Sequence, residues 1–208
     1  MPLSPLLRGI GIGFAIAAPV GPIGLLCIRR SLRDGAMMGL ATGLGAATAD
    51  AVYGLVAAFG LGATTTLLLA NTHLLRVAGG VLLSWLGLSG LRTAWRHRQT
   101  HAAEATARGV LAAYSSTFAL TLANPATILS FLAVIAALSG PEGGVSGGAV
   151  LVGGVFLGST LWWLILVGLV SALRRSLPDF VLRGIEITSA LVLIGLGILA
   201  TLSGLTAI

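Results

Sequence analysis

Charged residues are scarce in this chain. Only 9% of its 208 residues are charged, against roughly a quarter in soluble domains, while 56% are hydrophobic and the mean hydropathy is +1.02. All twelve basic side chains are arginine, and there is no lysine. This composition excludes an ordinary soluble domain. It predicts an all-α integral membrane protein, whose helices satisfy their backbone hydrogen bonds internally in lipid.

Cysteine and clusters of metal ligands are also lacking. The single cysteine, Cys27, excludes an intrachain disulfide and any multi-cysteine metal site. His97 and His101 are spaced i, i+4, but the arginine-rich segment around them offers no further ligands. No catalytic triad, metal-binding His/Glu cluster or phosphate loop is visible. We therefore expect a protein that is not an enzyme and that holds no metal or cofactor.

Long apolar runs fill most of the sequence. A helix of about 20 residues crosses the hydrocarbon core of a bilayer. Six segments meet this requirement, namely 9–28, 36–61, 73–94, 110–138, 148–171 and 182–205. Because no stretch is left for a soluble domain, we expect one transmembrane domain over residues 1–208. The expected location is the inner or plasma membrane.

The arginines are distributed unevenly about these six segments. Ten of them flank the loops on one predicted side, whereas Arg8 and Arg76 lie on the other. The positive-inside rule places the arginine-rich loops in the cytoplasm and both termini outside. Since the arginines sit at span ends and form no continuous stripe, the expected partner is the lipid bilayer and not a nucleic acid.

The six predicted spans form two sets of three. Repeat one covers about 9–94, a polar link covers about 95–108, and repeat two covers about 109–208. Each set begins with a proline-broken span and continues with a glycine-rich one. Because three is odd, the second set enters the membrane in the opposite direction. The pattern therefore predicts two inverted three-helix repeats with broken first and fourth helices.

Prolines interrupt the first span at Pro19 and Pro22. Proline lacks a backbone N–H, so the carbonyls of Ala15 and Ala18 are expected to lose their helical partners. Gly21 between them permits a tight backbone path. Freed carbonyls suit an ammonium group, whereas the N-terminus of a half-helix suits a carboxylate. The alternative is a bend that serves helix packing alone.

Asn124-Pro125 interrupts the fourth span in the same way. Pro125 is expected to free the carbonyl of Thr121, and Asn124 offers a donor and an acceptor at the break. Paired broken helices in corresponding halves of a membrane protein indicate a transporter's binding site. We therefore place Asn124 and Pro125 in a candidate substrate site with Pro19, Gly21 and Pro22.

Asp50 lies near the middle of the second predicted span. A charge at the bilayer centre costs at least about 2.5–3.5 kcal/mol on insertion scales, so it indicates function. Its carboxylate can bind a cationic group, carry a proton, or alternate between the two. Tyr53 lies three residues on, on the same helix face, and is expected to hydrogen-bond Asp50. The alternative is a structural aspartate bonded to a broken helix.

Taken in order, these motifs resemble the LysE/RhtB-type amino-acid exporters over nearly the whole chain. The residues that carry the resemblance are Pro19-Val20-Gly21-Pro22, Arg30-Ser31, Gly35, Gly39, Gly43, Gly45, Asp50 and Asn124-Pro125. The chain departs from the family pattern at Val20, which is inserted into a Pro-Gly-Pro motif, and at Ala126, where lysine often follows Asn-Pro.

The resemblance implies an inner-membrane exporter of six spans that forms a homodimer. Its substrates would be amino acids or similar small metabolites, extruded by proton exchange. By position, Pro19, Gly21, Pro22, Asp50, Asn124 and Pro125 would line the central site, with Asp50 as the proton-coupling group.

Two other functions remain open at this point. One is efflux of a divalent metal cation, although hard cations need about six oxygen ligands and the spans offer few. The other is a membrane scaffold that transports nothing. A hydrated cavity at Asp50 and Asn124 would favour transport, whereas a dry, packed interface there would favour a scaffold.

Overall fold

The protein is all-helical in the part that the structure describes. The computed structural model describes residues 3–19, 21–58, 71–95, 106–124, 127, 130–131, 145–174 and 176–206. These segments contain seven helices and no strand. The helices are α1 (Leu3–Ala17), α2 (Pro22–Asp34), α3 (Ala36–Ala58), α4 (Thr72–Trp95), α5 (Ala107–Leu122), α6 (Val145–Arg174) and α7 (Asp179–Leu205). The predicted α-helical class is confirmed.

Within the described residues, three helices are long and apolar enough to cross a membrane. They contain the segments His73–Arg92, Gly148–Arg174 and Phe180–Leu205, which match the predicted spans 73–94, 148–171 and 182–205. A fourth crossing results if α1 and α2 count as one bent span. The chain is thus an α-helical membrane protein. The number of six spans stays a prediction, since much of 110–138 lies outside the described residues.

The first proline motif separates two short helices. The chain leaves α1 after Ala17 and begins α2 at Pro22, with a bend of 80° between the two axes. Proline suits the first position of a helix, because its missing N–H would have no partner there in any case. Val20 lies outside the described residues.

The predicted end of the first span at residue 28 is wrong. Helix α2 continues to Asp34, so Arg29, Arg30 and Arg33 lie within it instead of following it. It ends where Gly35 adopts a φ of 93°, a backbone conformation that favours glycine. Helix α3 begins at the next residue.

Glycines bring two pairs of helices into close contact. Gly9 and Gly13 of α1 face the backbone of α6, while Gly154 and Gly158 of α6 face the backbone of α1. A Cβ atom at any of these positions would collide with the opposite main chain. Helices α4 and α7 meet in the same way at Gly80. Small residues at such crossings let helices pack tightly in lipid, where the hydrophobic effect does not drive association.

Helix α3 lies between the other helices. It packs against α2, α5 and α6, and α2 in turn contacts α6 and α7. A buried core runs through these contacts and includes Leu26, Cys27, Ala47, Leu120 and Leu193. Side chains on α3 are therefore held among helices from both ends of the sequence.

The glycine crossing between α1 and α6 gives a direct test. We expect Gly158→Ala to lower the free energy of unfolding by about 1–3 kcal/mol, because its Cβ would collide with the carbonyl oxygen of Ile10. The matched control is Gly153→Ala on the same helix, where a Cβ meets open space. Thermal unfolding in detergent should show a lower Tm for the first variant and an equal or higher Tm for the second. Equal Tm values would contradict close α1–α6 packing.

Candidate functional site

Asp50 is buried in α3 and bonded to α6. Its side chain is only 3% exposed, and its Oδ2 accepts a hydrogen bond of 2.7 Å from the Ser159 hydroxyl. That same hydroxyl accepts a bond of 3.1 Å from the indole Nε1–H of Trp163. A chain of hydrogen bonds thus runs from Trp163 through Ser159 to Asp50. Because Ser159 both donates and accepts, the Asp50 carboxylate is fixed in one orientation.

No basic side chain pairs with Asp50 in the described segments. The ion pair found there joins Arg33 to its neighbour Asp34, with N–O distances of 2.7 and 2.9 Å. The carboxylate of Asp50 therefore contacts a neutral donor and not a cation. A buried carboxylate held in this way is open to either a proton or a cationic ligand.

Tyr53 contacts the end of α5 and not Asp50. Its hydroxyl donates a hydrogen bond of 2.6 Å to the carbonyl of Leu122, and its ring stacks on Phe131 at a centroid distance of 5.4 Å. The expected bond between Tyr53 and Asp50 is therefore wrong. The reason is that α5 ends beside Tyr53 and leaves carbonyls that need donors.

The second break begins as predicted, but its carbonyls are not all free. Helix α5 ends at Leu122, and the N–H of Asn124 donates to the carbonyl of Thr121 at 3.2 Å. The expectation that this carbonyl loses its partner is therefore wrong, because a tight i→i+3 turn closes the helix end. Pro125 lies outside the described residues.

The ends of α1 and α5, which precede the two breaks, pack against the same buried cluster. Ile12 and Ile16, near the end of α1, pack with Leu122 against the buried group that contains Tyr53 and Phe131. Within the first motif, Pro19 is exposed, whereas Gly21 and Pro22 are half-buried. A Cβ at Gly21 would meet nothing within 4 Å. The structure thus brings Asp50, Tyr53 and the end of α5 together around α3.

Arg30 is a buried cation that the sequence motifs placed in the family resemblance but not in the candidate site. It is 9% exposed and extends from α2 between α3 and α5. Its Nη1 donates to the hydroxyls of Thr42 at 3.1 Å and Thr117 at 2.9 Å and to the carbonyl of Ala113 at 3.1 Å. Its Nη2 donates to the hydroxyl of Ser116 at 3.0 Å. All four partners are neutral.

Arg29 is buried beside Arg30 but points to another helix. It is 4% exposed, and its Nη1 donates to the carbonyl of Leu86 on α4 at 3.0 Å. A Cβ at Gly90 would collide with the guanidinium, so the glycine makes room for it. The sequence pattern explained both arginines as markers of topology. The run from Pro22 to Asp34 is compatible with a helix, and this pattern was the signal that could have placed both arginines inside one.

The family can now be stated from comparison with known proteins. The profile of the LysE type translocators matches residues 14–204. The chain belongs to this family. The resemblance inferred from the motifs is thereby confirmed, and this LysE type translocator is a membrane transport protein.

Two relatives of the translocator span most of its length. It is 32% identical over 204 residues to the chemotactic transduction protein ChpE of Pseudomonas aeruginosa, covering 95% of this chain and 98% of that one. It is 26% identical over 182 residues to the putative amino acid efflux protein YcgF of Bacillus subtilis, covering 86% of each chain. No solved structure matches it.

Possible metal ligands are dispersed in the translocator. Across the described ranges, no group of three or more His, Cys, Asp or Glu side chains is placed to hold a metal ion. Cys27, the single thiol, is buried and free. Among the described residues, the site around Asp50 consists instead of one carboxylate, the Ser159 hydroxyl and the Trp163 indole.

The Asp50–Ser159 bond leads to a prediction on stability. We expect Ser159→Ala to lower the free energy of unfolding by about 1–3 kcal/mol, since a buried carboxylate loses its donor. The control is Ser203→Ala on α7, whose exposed hydroxyl bonds only its own helix. Thermal unfolding of both variants, each also combined with Asp50→Ala, measures the coupling, because alanine removes the acceptor whereas asparagine would keep one. A cost of Ser159→Ala that is unchanged in the Asp50→Ala background would show that the two side chains do not interact.

Proposed function

We propose that this translocator is a secondary active exporter that moves amino acids or similar small metabolites out of the cytoplasm by proton antiport. The observation that carries the proposal is Asp50, a carboxylate buried between α3 and α6 with a neutral donor as its bonded partner. We further propose that the protein is not an enzyme and uses no cofactor.

Asp50 would act as the coupling group by exchanging ligands. When ionised, it would bind the ammonium group of a substrate that enters from the cytoplasm. On the outer side a proton would replace the ammonium, and the neutral carboxylic acid would return without substrate. Because an ionised carboxylate without a counter-charge is costly in a protein interior, the empty ionised state would cross poorly. Because the empty carrier would return only in the protonated state, each exported substrate would be exchanged for an entering proton.

The helix pairs support an inverted repeat. With α1 to α4 as one repeat and α5 to α7 as the other, the contact of α1 with α6 has its counterpart in that of α3 with α5. Helices α3 and α6 hold the same position in their repeats, as do α4 and α7, and each of these two pairs is in contact. Such a set of contacts is expected if a two-fold axis relates the two repeats. Such symmetry would allow alternating access by rocking of one repeat against the other.

The candidate substrate site would lie where the broken helices meet α3. It would include Asp50 and Tyr53 together with Asn124 and Pro125 at the second break. Pro19, Gly21 and Pro22 would line it from the first break. We propose that six spans place this site near the middle of the inner membrane and that the exporter works as a homodimer.

The names of the two relatives support two different functions. The putative amino acid efflux protein of Bacillus subtilis favours export of amino acids. The chemotactic transduction protein of Pseudomonas aeruginosa favours a role in signal transduction. Asp50 is packed against α6, as expected for a scaffold, since it is only 3% exposed and bonded to Ser159. Export is favoured because its carboxylate pairs with no cation among the described residues, and a buried carboxylate of this kind within a membrane protein indicates function.

Efflux from intact cells tests the proposal. Cells expressing the exporter are preloaded with a mixture of dipeptides, and intracellular amino acids are followed by mass spectrometry. We expect the wild type to deplete one or a few amino acids selectively and Asp50→Asn to lose this activity. The control is Asp34→Asn, which removes a carboxylate from the half-exposed pair with Arg33 and should export normally.

The pH dependence separates coupling from binding. In proteoliposomes, acidifying the outer side should accelerate export by the wild type and leave any residual export by Asp50→Asn unchanged. Normal export by Asp50→Asn with its pH dependence intact would exclude the coupling role. If no amino acid differs between wild type and empty cells, metal-cation efflux or a non-transport role would replace the proposal, and metal tolerance of the cells would distinguish these two.

Orientation can be tested with single cysteines. The native thiol at Cys27 is buried and should not react with a membrane-impermeant maleimide. We propose that both termini face outward and that the link before α5 faces the cytoplasm. Thr206→Cys should then react in intact cells, while Ala107→Cys should react only after permeabilisation. Both positions are exposed. The reverse labelling pattern would invert the topology.

A further inference from the structure

We propose that the Arg30 guanidinium is a docking point for the carboxylate of the exported substrate, so that the translocator selects molecules with a free carboxyl group over the corresponding amides or amines. The inference rests on the proposed export function and assigns the feature by which substrate is chosen. It concerns a residue outside the site built around Asp50.

The first argument is the charge of Arg30. Burying a cation is costly unless an anion or strong hydrogen bonds compensate it. Four neutral oxygens surround this guanidinium, from Thr42, Thr117, Ser116 and Ala113. Within the described segments, it bonds to no carboxylate. The arrangement stabilises the charge with neutral oxygens and leaves a directly bonded carboxylate to be supplied by a substrate.

The second argument is that the neutral partners can release Arg30 at little cost. The Thr42 hydroxyl donates to the carbonyl of Met38 at 2.8 Å, and the Thr117 hydroxyl donates to the carbonyl of Ala113 at 2.8 Å. Each hydroxyl therefore keeps a hydrogen bond within its own helix when the guanidinium turns away. A bond to an ionised carboxylate is roughly twice as strong as a neutral one.

The third argument is the number of donors. A guanidinium carries five N–H groups. In the described part of the chain, the two of Nη1 are shared among three acceptors, and Nη2 has one acceptor. Donors are thus left for a ligand. A carboxylate can accept two parallel bonds from such a group, which lysine cannot provide.

The fourth argument is an unsatisfied hydroxyl nearby. Thr121 lies one helical turn beyond Thr117 on the same face of α5 and is only 2% exposed. Its Oγ1 has no hydrogen-bond partner in the segments that the structure describes. A buried polar group without a partner is costly. A polar ligand that passes between Arg30 and the end of α5 would satisfy it.

Arg30 and Asp50 would act in succession and not together. Thr42, which contacts Arg30, precedes Asp50 by eight residues on α3, or about 12 Å along the helix axis. The ammonium and carboxylate of one α-amino acid are attached to the same carbon and do not span this distance. Arg30 lies toward the arginine-rich ends of the helices. It would therefore select the carboxylate at the cytoplasmic entrance, before the ammonium reaches Asp50.

The test compares amino acids with their amides in proteoliposomes. The probes are leucine with leucinamide and lysine with lysinamide, and the readout is the ratio of efflux rates within each pair. We expect the wild type to favour the acid by about 10- to 100-fold, as a lost charged hydrogen bond would give. This ratio should approach one in Arg30→Gln and be intermediate in Arg30→Lys, which keeps the charge but not the bidentate geometry.

Arg29→Gln is the matched control. It removes a buried cation one residue away, 4% exposed against 9% for Arg30, which bonds α4 instead of α5. Its efflux rates can fall, but its acid-to-amide ratio should stay at the wild-type value. If Arg30→Gln lowers both rates equally, Arg30 only holds the helices together and the inference is overturned. A wild type without preference for the acid overturns it as well.

A binding measurement distinguishes failure of the inference from failure of the proposed function. The same probes are tested for thermal stabilisation of the purified protein in lipid nanodiscs. Stabilisation by the acids alone that disappears in Arg30→Gln would support carboxylate docking even if no amino acid were exported. Equal or absent stabilisation by acid and amide, in a wild type that exports amino acids, would refute docking and leave the export function standing.

Discussion

The structure depends on one constraint, which is that lipid offers no hydrogen bonds to the chain. Helix ends and buried polar groups are then stabilised by partners within the protein. The carbonyl of Leu122 receives the Tyr53 hydroxyl, and the carbonyl of Leu86 receives the Arg29 guanidinium. These bonds require helices that approach closely, and Gly45 of α3 and Gly90 of α4 make room at the two contacts. The helix breaks, the glycines and the buried polar groups therefore all serve to supply hydrogen-bond partners within the protein.

Much of the fold follows from local rules. Hydropathy predicted the spans that became α4, α6 and α7, to within three residues at each end. The proline motifs predicted where α1 and α5 end, because a missing N–H and a ring clash act on the neighbouring turn alone. Family membership followed in the same way, from the order of short motifs along the chain.

The side-chain partners could not be predicted in this way. Ser159 bonds Asp50 across 109 positions of sequence, and Arg30 reaches Thr117 across 87. Such contacts depend on which helices pack together. The periodicity of side chains within one helix does not tell which other helix it packs against. Tyr53 shares a helix face with Asp50 but meets the end of α5 instead. The best available clue was Gly158, which marks where α6 approaches another helix closely, beside Ser159.

Helix α2 is fastened by two consecutive arginines that point in different directions. Neighbouring residues on a helix differ by about 100° around its axis, so Arg29 donates a hydrogen bond to α4 while Arg30 donates to α5. Together these hydrogen bonds fix the orientation of α2 about its own axis. This thirteen-residue helix of the first half of the chain is thus bonded through Arg30 to α5 of the second half.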